Sequence, residues 1–535
     1  MLNSSRRGWL FGVLGTAATA RTHAATSNPD DLSALTLKEA SDLIREKKVS
    51  PVELAEACLG RINIYNPKVN AWITVMREAA IAQAKTLEKD QMTRMFRGPL
   101  HGIPIGVKDT IDTVGVRTTA GSAIYEYRFP TEDAEVVRRL KSAGAIVIGK
   151  CNMHEFDAGP TSAVSYWGPV RNPWNLERAP GGPSGGSAAA VVTNQCFAAL
   201  GTDSDGGIRT PAAYCGAVGF MPTNGRVSQR GIVPFAWSLD TCGPLARTVE
   251  DAALVLQHTA GYDVRDIDSV DHPVPDFLSG IGAPVQSFRI GIAPQFFDHM
   301  DEEIARAVAD AMAVINKLTR GGAREVSLPS LLHANVDAEV AAFHENLRGV
   351  NGGDYEPLTA RAFPATAAAT RAVDYIRGWR DLQMVRRTVD EALFEKQSID
   401  LLVAPTMRRP APTLEESLVL PAGGANERGA ANPVPAVPAA TGRSNPAPRS
   451  LPDFGQNTRP FNGYGLPVVS VPCGFSKSGM PIGLQICGPR FAEVHVLALA
   501  HAYQQATDWH TRRPPLQPDT KVPALSKAAA DQTGG

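Results

Sequence analysis

Thr36-Leu37-Lys38-Glu39 places a hydroxyl residue three positions before a glutamate, and apolar residues fall at Leu37, Ala40, Leu43 and Ile44. That spacing predicts a capping box opening an amphipathic helix. Ser50-Pro51-Val52-Glu53 repeats the device, with proline at the first helical position, where no N–H is needed. Leu54, Cys58, Ile62 and Tyr65 continue its apolar face. The period then changes. Ile103-Pro104-Ile105-Gly106-Val107 predicts a short strand that delivers Lys108 at its end. A helix from about Asp133 to Ala143 stops at Gly144, and a strand over 145–148 starts at once. A helix running straight into a strand points to an α/β chain with a mixed or parallel sheet. Further strands are predicted at Leu401 to Ala404 and Val468 to Val471, each bounded by proline. Residues 179–218 are rich in Gly, Ser, Ala and Thr, but the apolar insert Ala188 to Val192 argues for a tightly packed strand–loop–helix region rather than a linker.

The ends and one interior stretch follow no such pattern. Arg6-Arg7 precedes an apolar run from Trp9 to Ala20, and Thr22-His23-Ala24 supplies a small-residue cleavage pattern. The run is too short to span a bilayer, so residues 1–24 read as a Tat-type signal peptide and the address as periplasmic or secreted. Residues 421–452 repeat Pro, Ala and Asn and cannot bury enough apolar surface to fold alone; they are expected to form an insertion loop. The main domain is placed at 30–514, with a flexible tail at 515–535.

Composition narrows the function. A formal net charge of −1 gives no electrostatic reason to expect nucleic acid or an anionic membrane as partner. The seven cysteines are scattered without CxxC spacing, which speaks for packing thiols rather than a disulfide framework or zinc. His344-Glu345 is followed by Arg348, not a second histidine, and no phosphate-binding or dinucleotide fingerprint occurs. These searches leave no zinc, phosphate-loop or dinucleotide motif.

Three stretches carry the chemistry: Gly102 to Asp109, ending on Lys108; Pro180-Gly181-Gly182-Pro183-Ser184-Gly185-Gly186-Ser187; and Gly201-Thr202-Asp203-Ser204-Asp205-Gly206-Gly207-Ile208-Arg209. Singly, each has an ordinary reading as a solvated lysine or a glycine turn. Gly182 to Gly186 also matches G-x-S-x-G, but that elbow needs a buried strand leading into it, and Leu176 to Pro180 is not one. Together and in this order, the three resemble the amidase signature family. Asn152 to Phe156, Gly168 to Trp174, Gly243 to Asp251, Gly465 to Pro472 and Pro481 to Gln485 extend the likeness over about residues 30 to 510. The resemblance implies an α/β fold with a large mixed sheet covered by helices on both faces. It implies a buried neutral lysine as base, a serine on a cis peptide bond as proton relay, a second serine as nucleophile, and backbone N–H groups as oxyanion donors. Its reaction is hydrolysis of carboxamide C–N bonds, on a small-molecule amide-like ligand, with no metal or organic cofactor. It leaves a homodimer open.

Two of the three catalytic slots are changed. Where the family has Gly-Gly-Ser-Ser-Gly-Gly, this chain has Pro183 in the relay slot; where the family has Gly-Gly-Ser-Ile-Arg, it has Gly207 in the nucleophile slot. The spacing between these slots is the family's. Proline is expected to keep a cis bend, which costs about 0.5–1 kcal/mol before proline against about 3–4 before other residues. The oxyanion loop maps to Ser204, Asp205, Gly206 and Gly207, and the supporting positions to Ser184, Ser187, Asp203 and Arg209. Asp205, where the family has glycine, is expected to pair with Lys108, which would otherwise keep buried donors without partners. Ser184, Ser187, Thr202 and Ser204 lie near enough in sequence to be weighed as substitute nucleophiles; Ser204 stands three residues before the slot, a distance that generally re-aims a side chain on a turn. Three readings follow: an amidase of altered or weak activity; a pseudoenzyme that binds a ligand or partner without cleaving; and the glutaminase subunit of a tRNA-dependent amidotransferase, opposed by the export signal and the missing serines. Residue chemistry favours the second. Specificity would come from segments around Tyr125 to Tyr127, Trp237 and 330–380, which carry no readable code.

Overall fold

Both capping boxes form. The Thr36 hydroxyl accepts the Glu39 N–H at 3.1 Å, and the Glu39 carboxylate accepts the Thr36 N–H at 2.8 Å, opening helix α1 (Leu37–Arg45). Ser50 and Glu53 do the same at 3.2 and 2.8 Å for helix α2 (Pro51–Val69), with Pro51 first. Leu37, Ala40, Ile44, Leu54, Cys58 and Ile62 point into the core, as their spacing requires.

The computed structural model describes residues 31–331, 337–351, 355–363, 370–418 and 454–530. The expected signal segment and the Pro/Ala-rich insertion lie outside the described residues. The strands are β1 (Trp72–Val75), β2 (Pro104–Lys108), β3 (Ile146–Cys151), β4 (Ala198–Thr202), β5 (Val218–Met221), β6 (Cys242–Ala246), β7 (Ile290–Ile292), β8 (Arg324–Glu325), β9 (Leu401–Pro405), β10 (Val468–Phe475) and β11 (Pro481–Cys487). They form one mixed sheet in the order β1-β3-β2-β4-β6-β5-β10-β11-β9-β7-β8. β2 runs parallel to β3 and β4, and β7 parallel to β8 and β9; the other neighbours are antiparallel. Every residue of β2, β3, β4, β5, β6, β9 and β11 is buried, so helices cover both faces of the sheet's middle.

Helix α3 (Arg77–Met92) packs on β3. Helix α4 (Glu135–Ser142) ends at Gly144, whose φ of 90° turns the chain into β3. The small-residue run is a packed region. It holds helix α5 (Gly185–Val192), then β4, then helix α6 (Arg209–Cys215). A Cβ at Gly186 would stand 2.2 Å from the Asn152 carbonyl oxygen, which explains the glycine. All seven cysteines are buried. The residues after Pro514, expected as a tail, lie along the body as far as they are described: Leu516 joins the main core, Lys68 donates to the Thr520 carbonyl, and Ala529 packs with Leu414 and Leu418. Among the described residues no helix is long and apolar enough to cross a membrane. Because β2 and β4 are parallel neighbours, Lys108 and Thr202 emerge at the same end of the sheet, the carboxyl end where α/β folds build their sites.

Candidate active site

Lys108 is fully buried, and its amine is spoken for. It donates to Thr202 Oγ1 at 2.5 Å and forms an ion pair with Asp157 Oδ1 at 2.5 Å. Thr202 Oγ1 donates in turn to Asp157 Oδ2 at 2.9 Å, closing a three-membered network. Burial pushes the Lys108 amine below the ordinary lysine range; the negative charge and hydrogen bond of Asp157, and the more distant charge of Asp240, pull against that. No motif in the sequence points to Asp157. It reaches Lys108 from a tight turn in which Phe156 and Asp157 both take left-handed backbone, at φ 45° and 60°.

The Gly182–Pro183 peptide is cis, as expected for the relay slot. The next peptide along is fixed: Pro183 O accepts from the His154 N–H at 3.1 Å and from Ser162 Oγ at 2.9 Å, and Ser162 Oγ accepts the Gly185 N–H at 3.0 Å. The two changed slots face each other. A Cβ built on Gly207 would stand 2.4 Å from the Thr202 carbonyl oxygen and 2.7 Å from Pro183 Cδ. The proline ring thus occupies space that a residue-207 side chain would need.

The loop between β4 and α6 is organised by Asp203. Its carboxylate accepts the N–H groups of Gly206, Ile208 and Arg209 at 2.7, 3.1 and 3.3 Å, pairs with the Arg209 guanidinium at 2.9 Å, and accepts Asn462 Nδ2 at 2.9 Å. Burial alone would raise the Asp203 carboxyl, but Arg209 and the amide donors outweigh it and carry it down to about 2. Ser184 Oγ donates to the Thr202 carbonyl at 3.2 Å, and Ser187 Oγ to that of Leu200 at 3.0 Å. Of the four expected oxyanion donors, Gly206 is committed to Asp203, whereas the Ser204 and Gly207 N–H groups meet no acceptor among the described residues. Asp205 corrects the expected pairing. Its carboxylate turns outward to Arg459, at 2.8 and 3.1 Å, with a half-exposed ion pair in place of a contact with the buried lysine. Each charge has another partner: Asp157 answers the Lys108 amine and Arg459 answers Asp205.

A second buried pair stands beside the first. Lys150 on β3 donates to Thr118 Oγ1 at 2.6 Å and faces Asp109 at 3.4 Å, and burial pushes its amine down as well. Ser204 Oγ donates to Asp240 Oδ1 at 2.5 Å. Burial is the main force pushing Asp240 up to about 7, and the charge of Asp157 adds to it. The three segments suspected of setting specificity do meet near this end. Tyr125, His344 and Tyr355 ring Phe156, Phe363 packs on His344 and Tyr355, and Trp237 meets Phe343 edge-on with ring centroids 6.4 Å apart. Two surface cavities of about 410 and 470 Å³ lie elsewhere, around Glu53 and Asp400. Among the described residues, no group of three or more His, Cys, Asp or Glu side chains is placed to hold a metal ion.

A buried lysine and a glycine-rich loop thus meet at the carboxyl end of one mixed sheet in an α/β fold. Comparison with known proteins makes the assignment specific. A family model for amidases matches residues 53–497. The A subunit of the glutamyl-tRNA(Gln) amidotransferase of Methylococcus capsulatus is 39% identical over 509 residues, covering 90% of this chain and 98% of that protein. Its counterpart from a Geobacter species is 36% identical over 512 residues, covering 90% and 99%. The crystal structure of the peptide amidase of Stenotrophomonas maltophilia superposes with a TM-score of 0.74 at 27% identity, covering 92% of this chain and 100% of that one. This chain belongs to the amidase family, whose reaction is the hydrolysis of C–N bonds, as a member that lacks both serines of the family pattern.

Proposed function

We propose that this chain is an exported amidase-family protein that holds a small carboxamide-like ligand without the family's lysine–serine relay. One observation carries the reading: the Lys108 amine is bound to Asp157 and Thr202, while the two slots it would serve, 183 and 207, have no hydroxyl. A base without a hydroxyl to deprotonate forms no acyl-enzyme at those positions. The N–H groups of Ser204 and Gly207 support the ligand class, since backbone donors with no acceptor of their own suit a carbonyl or carboxylate oxygen. Calorimetric titration with a panel of carboxamides and the matching acids tests it. Saturable binding without Lys108-dependent release of ammonia is expected; release that disappears in Lys108→Ala refutes it. The twin arginine and apolar run support export, which cell fractionation with an antibody to the mature chain checks.

The relatives' names favour a second reading, one component of an amidotransferase built from several different chains, because likeness to those proteins runs along nearly their whole length. The missing serines weigh against a glutaminase role in such an assembly. Co-purification of the tagged chain from its native cells distinguishes a component of a complex from a lone protein or a homodimer.

A further inference from the structure

Five hydroxyls on or beside the site form hydrogen bonds that sort them chemically. Ser184, Ser187 and Ser162 donate to backbone carbonyls, which take no proton. Thr202 donates to Asp157, whose charge is already answered by Lys108. Ser204 donates to Asp240 at 2.5 Å, and Asp240 has no ion pair with a cation among the described residues. Asp240 is oriented by the N–H groups of Phe235 and Ala236, at 2.9 and 3.1 Å. That is the arrangement of an activated nucleophile: hydroxyl, base, and a third element that aims the base. All five residues are buried, Ser204 the least so, at 5% exposure against 2% for Thr202 and none for Ser162, Ser184 and Ser187.

We propose that Ser204, with Asp240 as its base, is a covalent acyl acceptor of this site, reactive toward activated acyl donors and independent of the lost serine slots. The inference rests on the reading of the loop as a carbonyl-binding cradle. Ser204 Oγ attacks the acyl carbon and its proton passes to the Asp240 carboxylate. The carbonyl oxygen, now an oxyanion, is held by the N–H groups of Ser204 and Gly207. On collapse the bond from the acyl carbon to the leaving group breaks, and the leaving group takes the proton from Asp240. Water then adds to the ester carbon, gives its proton to Asp240, and the proton returns to Ser204 as the acid departs. Asp240, raised by burial to about 7, lies near the middle of the pH range that suits a general base, with Asp157 and Lys108 as the charged groups coupled to it.

The test is reaction of the purified mature protein with a fluorophosphonate probe, mapped by tandem mass spectrometry. One adduct is expected, on the peptide carrying Ser204, absent in Ser204→Ala and at least tenfold slower to form in Asp240→Asn of unchanged circular dichroism. Should Asp240→Asn fail to fold, the wild-type labelling rate serves instead: it rises with pH through about 7, because the base must be ionised. No adduct, an adduct on another residue, or a rate flat across that range overturns the proposal. Carboxamide titration of the wild type beside its labelling separates the two readings. Saturable binding without an adduct on Ser204 removes Ser204 as acceptor and leaves the cradle standing, whereas absence of binding removes the cradle itself.

Discussion

Asp157 sits on a left-handed turn and holds Lys108 through both an ion pair and the bridging Thr202 hydroxyl. Both charges are buried, so the pair is of a kind whose halves depend on each other. Asp157→Ala leaves Lys108 without its counter-charge and is expected to destabilise the chain by about 3–5 kcal/mol in urea denaturation, with Lys108→Met/Asp157→Leu recovering most of that loss. Equal stability of the single variant and the wild type would show that the pair is not formed. Position 207 makes a second point. Gly207→Ser pushes a side chain against the Thr202 carbonyl and the Pro183 ring, for an expected cost of about 1–3 kcal/mol. Adding Pro183→Ser removes only the ring contact, so the double variant stays less stable than the wild type. Motif spacing made Lys108, Pro183, Gly207, Asp203 and Arg209 readable in sequence, because each stands at a fixed place in a contiguous pattern. Asp157 was unreadable: its role comes from a turn that carries it across to a different strand. Asp205 was misread because chain proximity to the loop says nothing of direction, and Arg459 waited on the outer side.

Elements whose signals lie within four residues were legible. The capping boxes of α1 and α2 and the Gly144 stop all formed where the local chemistry put them. Ser50→Ala should therefore cost about 1 kcal/mol of unfolding free energy, since it removes one acceptor for an otherwise bare helix N–H. The stretches 337–351 and 355–363 were illegible, since their fit depends on side chains brought from Tyr125 and Phe156. The helix Pro357–Ala362 docks through Glu356, whose N–H donates to Glu155 Oε2 at 3.0 Å. Burial pushes Glu155 from 4.5 up to about 7. A carboxyl raised in the folded state contributes stability that is present below its unfolded value and lost as pH rises through about 7. Wild-type stability should accordingly fall, relative to Glu155→Gln, between pH 5 and pH 8; parallel urea midpoints for the two across that range would rule out the buried acid.

At the scale of the whole molecule, one mixed sheet brings Lys108, Thr202 and the glycine loop to the same end of neighbouring strands, and the family likeness covers nearly all of that body. The fold was readable because several motifs had to agree in order and spacing; the state of the site was not, because it turns on which partner a single amine chooses. If the first residues act as a Tat signal, Arg6→Lys/Arg7→Lys leaves the precursor uncleaved and inside the cell, a change visible on fractionation. The most direct measurement is ammonia release from a carboxamide panel by purified wild type and Lys108→Ala, side by side. The two should be indistinguishable, because the lysine has no serine to serve. Turnover by the wild type that Lys108→Ala abolishes would show that the lysine still works as a base and that the family's relay has been rebuilt from other residues.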